Sequence, residues 1–466
     1  MTSAATILGQ FVAEQSIGTL SPLAIEHAKR HLIDVIGVGL LGSAQPMPRR
    51  ALDGIVAIPG SSGNISVWGS DVTLTASYAA MANGIACHVL DFDDTHTEGI
   101  VHGSAILAPA VLALGAELKA TGAELITAFV VGWEVAARIG LAAQGTIHDR
   151  GYHTTSIAGV FGAAAAAGKL LGVPADQLVH ALALAGSQAS GINEYQTNGS
   201  SSKILHTGWA AHAGIVAAYL ARAGMTGPLS IFEGSMGLLQ VYGDAARVAP
   251  AALTGGLGER WEMTRVGIKP YPCCHFLHAF IDCARSLKAA GLKPDDIAAI
   301  ECMVPEIEVA LVCEPLEFKR VPISPYAAKF SLPYAVAAAL IDGEVSHRTF
   351  TAEAVTRPAA LELAARVAYR VTAPEETTFP RYFPGWLKAS LRDGSCLEQR
   401  IDINLGTPEN PLSRLALEQK FRDNASAILP ATQVEQLLAS VWSLEQCSAY
   451  ELGELTRVKP RSVRRA

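Results

Sequence analysis

The chain has 466 residues, of which 50% are hydrophobic and 17% are charged. A chain of this length and composition can bury a large core and divide into more than one folding unit, which excludes an intrinsically disordered protein. The formal net charge of -7 argues against nucleic acid as the main partner, because neutralising phosphates requires a basic surface. An anionic ligand must therefore be held by a few local cations.

The sequence carries no readable targeting or anchoring signal. It does not open on a basic segment followed by an apolar one, so we expect a cytoplasmic location. The eight cysteines include no Cys-x-x-Cys pair, which predicts neither a disulfide framework nor a zinc ribbon. The apolar stretches 105–116 and 156–168 are shorter than the roughly 18 residues of a membrane span, so we expect no membrane-spanning segment.

Helices dominate the first part of the chain. Ser21 and Pro22 form a strong helix start, because the hydroxyl can cap the helix and proline suits its first position; apolar residues follow at helical spacing. Similar patterns rich in small residues predict helices over four further stretches: 75–90, 155–171, 175–185 and 207–223. Residues 1–266 therefore read as the first part of a helical bundle.

The pattern changes after about residue 267. Short β-favouring runs predict strands over 297–304, 367–372 and 386–403, and the turn signal Asp393-Gly394 divides the last run. Helical spacing returns from Leu412 onward. We therefore predict a mainly α protein whose helical-bundle domain spans 1–266 and 405–466, with an inserted smaller α+β domain over 267–404.

The segment 90–98 concentrates charge directly after an apolar helix. It holds four carboxylates and one imidazole: Asp91, Asp93, Asp94, Glu98 and His96. One interpretation is a divalent metal site, since closely spaced oxygen ligands suit magnesium or calcium, although no EF-hand spacing or His-Glu-x-x-His motif accompanies it. A second is acid–base catalysis by one buried carboxylate. A helix-ending acidic loop is the third.

Further imidazoles and cations lie elsewhere in the chain. They are His102, His153 at a helix start, Lys203 in a glycine- and serine-rich loop, and Lys269 before the vicinal pair Cys273-Cys274. Each by itself is explained by capping, packing or solvation, and the cysteine pair is read as a nucleophile, a redox pair or simple lining. Together they supply a base, an acid and cations for proton abstraction beside a carboxylate. Nucleotide-binding glycine motifs and the Gly-x-Ser-x-Gly elbow are absent.

The order of these motifs resembles the MmgE/PrpD family. The matching segments are 90–95 with His102, 151–156, 203–208, 269–274 and 328–334. The resemblance implies a large helical domain with an inserted lid domain, a homodimer, and chemistry that needs neither a metal nor an organic cofactor. What unites the family is proton movement at a carbon beside a carboxylate.

The resemblance also implies a site in a cleft between the two domains. Its residues are Asp91, Thr95, His102, His153 and Lys203 from the helical domain and Lys269, Cys274, His278 and Tyr334 from the lid. We predict that Lys203 and Lys269 hold substrate carboxylates. The remaining substrate-binding residues are Thr95, Cys274 and His278.

Four of these residues are predicted to be catalytic. His153 or Asp91 exchanges the α-proton, and His102 or Tyr334 protonates the leaving group or the opposite face. The implied function is a cofactor-independent lyase that acts on a small di- or tricarboxylate, either as a 2-methylcitrate dehydratase-like or as a cis-aconitate decarboxylase-like enzyme. An iminodisuccinate epimerase-like isomerase and a non-catalytic family member are the alternatives.

One position departs from the family pattern. Where many members have His-Pro-Ser, this chain has His102-Gly103-Ser104, and an additional histidine, His96, precedes it. Because glycine is conformationally permissive, Gly103 is expected to loosen the loop that carries His102. At the other end of the chain, the basic residues of the last ten positions are read as a frayed tail rather than as an anion-binding surface: Arg457, Lys459, Arg461, Arg464 and Arg465.

Overall fold

The computed structural model describes residues 2–379 and 381–458, and these are mainly helical, as the sequence predicts. The chain forms two compact units. The helical unit comprises 1–89, 93–268 and 413–466, and the mixed unit comprises 90–92 and 269–412. The basic tail residues Lys459, Arg461, Arg464 and Arg465 lie outside the described residues. That the mixed unit acts as a lid stays a prediction.

The helical unit contains fifteen of the α-helices in the described ranges and one two-stranded antiparallel sheet. Its elements in chain order are α1 (Ala4–Glu14), α2 (Pro22–Ser43), α3 (Pro46–Val56), β1 (Ser62–Ser66), β2 (Thr73–Leu74), α4 (Ala76–His88), α5 (Ser104–Leu118), α6 (Gly122–Ala143), α7 (Thr146–Asp149), α8 (Thr154–Leu170), α9 (Ala175–Gly186), α10 (Tyr195–Asn198), α11 (Ser202–Arg222), α12 (Leu238–Val241) and, after the mixed unit, the three C-terminal helices Arg414–Ala425, Ala431–Trp442 and Ala449–Leu455.

Local capping sets where these helices begin. Ser21 caps α2 as predicted, since its hydroxyl accepts a hydrogen bond from the backbone N–H of Ala24 at 3.1 Å. Thr121 and Glu124 form a reciprocal capping box at the start of α6. The predicted start of α11 at 207 is wrong: Gly199 ends α10 in the left-handed conformation, and α11 begins at Ser202. Lys203 therefore lies in the first turn of a helix and not in a loop.

Small residues let the central helices approach closely. A Cβ on Gly84 of α4 would lie 2.9 Å from the Cα of Gly208 on α11, and a Cβ on Gly162 of α8 would lie 2.6 Å from the carbonyl oxygen of Gly132 on α6. Neither position has room for a side chain. The abundant alanine and glycine residues thus allow close contacts between helices. Those contacts bring the ends of α4, α5, α8 and α11 together.

Helix α6 is the one helix in the described ranges that has the length and apolarity of a membrane span. Its apolar run, unlike 105–116 and 156–168, is not apparent in the sequence because charged residues interrupt it. Its apolar window is entirely buried within the protein, and its Arg138 and Glu134 form a buried ion pair at 3.2 Å. Such burial is typical of a helix in the core of a folded domain. A cytoplasmic location stays a prediction.

The mixed unit carries a four-stranded sheet with helices. Its elements are α13 (His278–Ala289), β3 (Ile297–Val304), α14 (Glu306–Glu308), a π-helical turn (Val309–Cys313), α15 (Leu316–Arg320), α16 (Pro325–Ala328), α17 (Leu332–Asp342), α18 (Pro358–Ala364), β4 (Val367–Val371), β5 (Gly385–Leu391) and β6 (Cys396–Ile401); the helices that follow in the helical unit are α19 (Arg414–Ala425), α20 (Ala431–Trp442) and α21 (Ala449–Leu455).

The strands fall where the sequence predicts them. The sheet order is β4-β3-β5-β6, with β3 parallel to β4 and antiparallel to β5. The predicted run 386–403 is the β5–β6 hairpin, which turns at Asp393-Gly394. Helices α13 and α17 pack with the sheet around a core that includes Phe280 and Tyr334.

Candidate active site

Four imidazoles come together in the helical unit. His88 ends α4, His102 precedes α5, His153 is the N-cap of α8, and His206 lies near the start of α11. The His88 ring is centred 5.5 Å from the rings of both His102 and His153, and the rings of His153 and His206 are 5.1 Å apart. Because each histidine lies at or near a helix end, close packing of the four helices suffices to assemble the cluster.

A buried carboxylate lies beside two of these imidazoles. Asp93 is fully buried, and its Oδ2 is 2.7 Å from Nδ1 of His88 and 3.9 Å from Nδ1 of His102. The short distance places the Nδ1 proton of His88 on the side of Asp93. The contact therefore fixes the orientation of the His88 ring.

The orientation of His102 is fixed by the acidic segment. Its Nδ1 is 2.8 Å from the carbonyl oxygen of Asp94 and 3.0 Å from Oγ1 of Thr95. A carbonyl oxygen can only accept, so Nδ1 carries the proton and Nε2 is the acceptor nitrogen of the neutral ring. Thr95 is itself held by paired backbone hydrogen bonds with Gly267 at 2.9 Å. The Asp-Asp-Thr run therefore sets the tautomer of a histidine seven or eight residues away.

His153 and His206 form a buried pair of neutral imidazoles. Their Nδ1 atoms are 3.0 Å apart, a distance at which one nitrogen donates a proton and the other accepts it. The pKa of His153 lies well below its ordinary value, and that of His206 is lowered to about 4. Burial is the largest cause of both shifts, followed by electrostatic repulsion from His88 and from Lys203. Lys203 therefore lies within electrostatic reach of the pair. Both imidazoles of the pair are unprotonated bases at neutral pH.

A second buried network of hydrogen bonds and ion pairs holds the side chain of Asp94 in the acidic segment. The Asp94 carboxylate accepts hydrogen bonds from the hydroxyl of Ser104 at 2.5 Å and from its backbone N–H at 3.3 Å, and it is 2.7 Å from Nδ1 of His31. In α19, Lys420 pairs with Asp34 at 2.5 Å. Burial raises the pKa of Asp94 to about 7. Asp94 thus anchors the segment, while its carbonyl oxygen orients His102.

Gly103 does not loosen this loop as expected. Its backbone is in the right-handed helical region, with φ -74° and ψ -35°. A Cβ at this position would lie 2.7 Å from the ring of Trp133, whose Nε1 donates to Ser104 at 3.1 Å. The glycine makes room for a buried indole, so the departure from the family pattern is compensated by packing.

Asp91 and two lysines form a separate cluster in the mixed unit. Lys269 Nζ donates to the carbonyl oxygen of Asp91 at 3.0 Å and lies 3.5 Å from its carboxylate, and Lys329 Nζ donates to the carbonyl oxygen of Leu90 at 2.5 Å. Asp91 has φ +55°, a strained conformation for a residue with a side chain. The expectation that Asp91 groups with the helical domain is therefore wrong, because these two buried ammonium groups tie 90–92 to the mixed unit.

Cys274 and His278 are buried in the same cluster. Burial, followed by the charge of Asp91, raises the pKa of the Cys274 thiol to about 12, so the residue is a neutral thiol and not an activated nucleophile. His278 donates from Nε2 to the carbonyl oxygen of Cys273 at 3.3 Å, and burial lowers its pKa well below the ordinary value. Both residues therefore offer neutral polar groups near Lys269.

Tyr334 is engaged within the core of the mixed unit. It is fully buried, and its hydroxyl donates to the carbonyl oxygen of Thr349 at 2.7 Å. Burial raises its pKa to about 12. These contacts are those of a structural tyrosine, and they link it neither to Asp91 nor to Lys269.

We expect Tyr334→Phe to keep kcat within about threefold of wild type, because the lost group bonds a backbone carbonyl and not the cluster. Loss of that bond should cost about 1 kcal/mol of unfolding free energy. Steady-state assays and urea unfolding measure the two effects. A hundredfold loss of kcat with unchanged stability would instead establish the predicted catalytic role.

Several polar residues of these clusters were not singled out from the sequence as site residues: His88, His206 and Lys329. His206 and Lys329 lie inside the segments that carry the family resemblance, and His88 ends the apolar helix before the acidic segment. The acidic segment is itself mostly buried, since Asp91, Asp93 and Asp94 have at most 6% of their surface exposed. Among the residues that the structure describes, no group of three or more His, Cys, Asp or Glu side chains is arranged to hold a metal ion.

Comparisons with known proteins agree with the motif order. The MmgE/PrpD N-terminal domain matches residues 6–251, and the MmgE/PrpD C-terminal domain matches residues 271–446. The chain is 31% identical to cis-aconitate decarboxylase of Homo sapiens over 443 residues, which are 92% of this chain and 89% of the relative. It is 30% identical to the enzyme of Mus musculus (96% and 93% covered) and 26% identical to that of Aspergillus terreus (91% and 89%). The chain therefore belongs to the MmgE/PrpD family.

Proposed function

We propose that the protein is a cofactor-independent lyase acting on a small di- or tricarboxylate, and that its reaction is the decarboxylation of cis-aconitate or a close analogue. The observation that carries the proposal is the imidazole cluster, in which His102 is held in one tautomer and the His153–His206 pair is held neutral. Such groups suit proton transfer at carbon near pH 7. Similarity to cis-aconitate decarboxylases supports the choice of reaction.

The proposed chemistry needs only side chains. Lys203 and Lys269 each bind a substrate carboxylate. Cleavage of the bond to the departing carboxylate releases CO2, and its electron pair shifts the double bond and becomes an enolate of a remaining carboxylate. An imidazole then delivers one proton to the α-carbon of that enolate. In total, the substrate trianion and one proton become the product dianion and CO2. We assign this proton to the imidazole cluster, in which His102 or His153 delivers it.

The test is a panel of citrate, 2-methylcitrate, cis-aconitate and iminodisuccinate, followed by proton NMR in deuterated buffer. We expect cis-aconitate to give CO2 and a product with one deuterium at the protonated carbon. A new alkene from 2-methylcitrate would instead identify a dehydratase. Exchange of a proton of iminodisuccinate for deuterium, with inversion at that carbon, would identify an epimerase. If no member of the panel were turned over, the result would contradict the proposal.

We also propose that the chain forms the homodimer that the family resemblance implies. Helix α11 supports this, because it presents partly exposed apolar side chains at helical spacing: Leu205, Trp209, Tyr219 and Leu220. Sedimentation equilibrium should give a mass of about twice 48.9 kDa. A monomer at micromolar concentration would contradict it.

A further inference from the structure

Glu308 carries a buried carboxyl group that the mechanism above does not use. The residue is fully buried, and neither of its side-chain oxygens has a hydrogen-bond partner among the described residues. Burial is the cause that raises its pKa, to about 9, so the group is a neutral carboxylic acid at pH 7. Buried polar groups are normally satisfied, so a buried carboxyl group without a hydrogen-bond partner among the described residues needs an explanation.

The backbone around Glu308 is unusual and fixed. Glu308 ends the short helix α14 and directly precedes the π-helical turn Val309–Cys313. Single π-helical turns are rare and occur frequently at functional sites. Val312 and Cys313 of the turn are fully buried in the core of the mixed unit. The carboxyl group is thus held at its position by packing on its C-terminal side.

The π-helical turn that follows Glu308 lies beside Lys329. Lys319 Nζ donates both to the carbonyl oxygen of Leu311 in this turn, at 2.5 Å, and to that of Phe330, the residue after Lys329, at 2.8 Å.

The charge of Glu308 would raise the pKa of the Cys274 thiol, which the charges of Asp91 and Lys269 also shift. Cys274 is therefore within electrostatic reach of all three groups. Its backbone N–H also donates to the carbonyl oxygen of Lys329, the lysine that holds Leu90. One cluster therefore contains a neutral acid, a neutral thiol and buried ammonium groups.

We propose that Glu308 is a specificity-determining residue of this site, which donates a hydrogen bond from its neutral carboxylic acid to a carboxylate of the bound substrate. The inference rests on the proposed function, since it assigns a further contact to the same polycarboxylate. A neutral acid suits this position because it adds direction to the attraction of Lys269 without adding negative charge. An ionised carboxylate there would repel the same ligand.

The test compares Glu308→Leu and Glu308→Gln, with Glu306→Gln as the matched control on an exposed side chain two residues earlier. The probe is tricarballylate, a saturated tricarboxylate, and calorimetry measures its Kd. We expect the leucine variant to weaken binding at least about tenfold, because it has no donor, and the glutamine variant to stay within about threefold. The control should match wild type.

Thermal unfolding distinguishes this role from a structural one. Replacing an unsatisfied buried acid by leucine should raise the Tm by a few degrees, on the order of 2–4 °C, while ligand affinity falls. A variant that is more stable and yet binds less cannot owe its defect to misfolding. If the leucine variant binds tricarballylate and turns over substrate as wild type does, the proposal is overturned.

The pH dependence gives an independent readout. Wild-type affinity should fall as pH rises through about 9, where Glu308 ionises, and this fall should be absent in Glu308→Gln. The thiols Cys274 and Cys313, on which the charge of Glu308 acts, have a pKa of about 12 and do not titrate there. Burial lowers the pKa of Lys319 on α15. Because Lys319 is present in both proteins, its titration cancels when their affinities are compared.

The outcomes also separate this proposal from the proposed function. If wild type binds tricarballylate in a Glu308-dependent way but turns over no member of the substrate panel, the reaction is wrong and the Glu308 contact stands. If wild type turns over cis-aconitate but does not bind tricarballylate at millimolar concentration, the Glu308 proposal is overturned and the proposed function stands.

Discussion

His153→Ala is expected to lower kcat by a factor of about 10² to 10⁴, the range over which a positioned acid or base contributes to a proton transfer. The substitution removes one member of the buried pair in which Nδ1 of His153 lies 3.0 Å from Nδ1 of His206. It also leaves His206 without the partner that defines its proton position. Lys203→Ala, which removes a charge within reach of the pair, should raise KM more than it lowers kcat. Initial-rate assays on the substrate identified by the panel measure both.

The matched control is His180→Ala. His180 is a partly buried imidazole of α9 in the same helical unit, and its Nδ1 is 3.2 Å from the carbonyl oxygen of Gly227. It contacts none of the four clustered imidazoles, so kcat should stay within about twofold of wild type. If His153→Ala and Lys203→Ala both kept near-normal turnover, the role assignment would be wrong.

Lys269→Met is expected to lower kcat/KM by a factor of roughly 30 to 1,000, which corresponds to about 2–4 kcal/mol of barrier. The buried ammonium lies 3.0 Å from the carbonyl oxygen of Asp91 and 3.5 Å from its carboxylate, so it provides positive charge where water is excluded. Methionine keeps the apolar length of the side chain and removes the charge. Lys293→Met, on an exposed lysine of the same unit, serves as the control and should have no effect.

Loss of Lys269 also removes an ion-pair partner of the buried Asp91 carboxylate. Breaking such a pair costs about 3–5 kcal/mol of stability, so the single variant alone does not separate folding from function. The double variant Lys269→Met/Asp91→Asn removes both charges and should recover most of the lost Tm. Recovery of stability without recovery of kcat/KM supports a substrate-binding role. If the double variant regained activity as well, Lys269 would act only by stabilising the fold.

Local sequence patterns predicted several of the long helices and the strands of the four-stranded sheet, because each of these elements depends on neighbouring residues. Ser21-Pro22 starts α2, and the Asp393-Gly394 turn joins β5 to β6. The error at the start of α11 has a local cause, since the serine-rich run 200–202 is equally suited to a loop and to a first helical turn. Helix α6 was not singled out from the sequence because buried Glu134 and Arg138 interrupt its apolar run.

The predicted site residues divide according to what lies around them. The sequence identified His102 and His153 by their motifs but not their partners, because Asp93–His88 and His153–His206 join residues on different helices. It assigned Tyr334 a catalytic role from the resemblance, whereas a hydrogen bond to Thr349 places its hydroxyl in the core.

By itself, the sequence determined the mainly helical class, the position of the β-rich segment and the family, since these follow from spacing, capping and motif order along the chain. Only the tertiary structure decided which nitrogen of His102 carries the proton, that Asp91 belongs with Lys269, and that Gly103 makes room for Trp133. Protonation state, strain and burial depend on groups that are distant in the chain and adjacent in space, so no local pattern contains them.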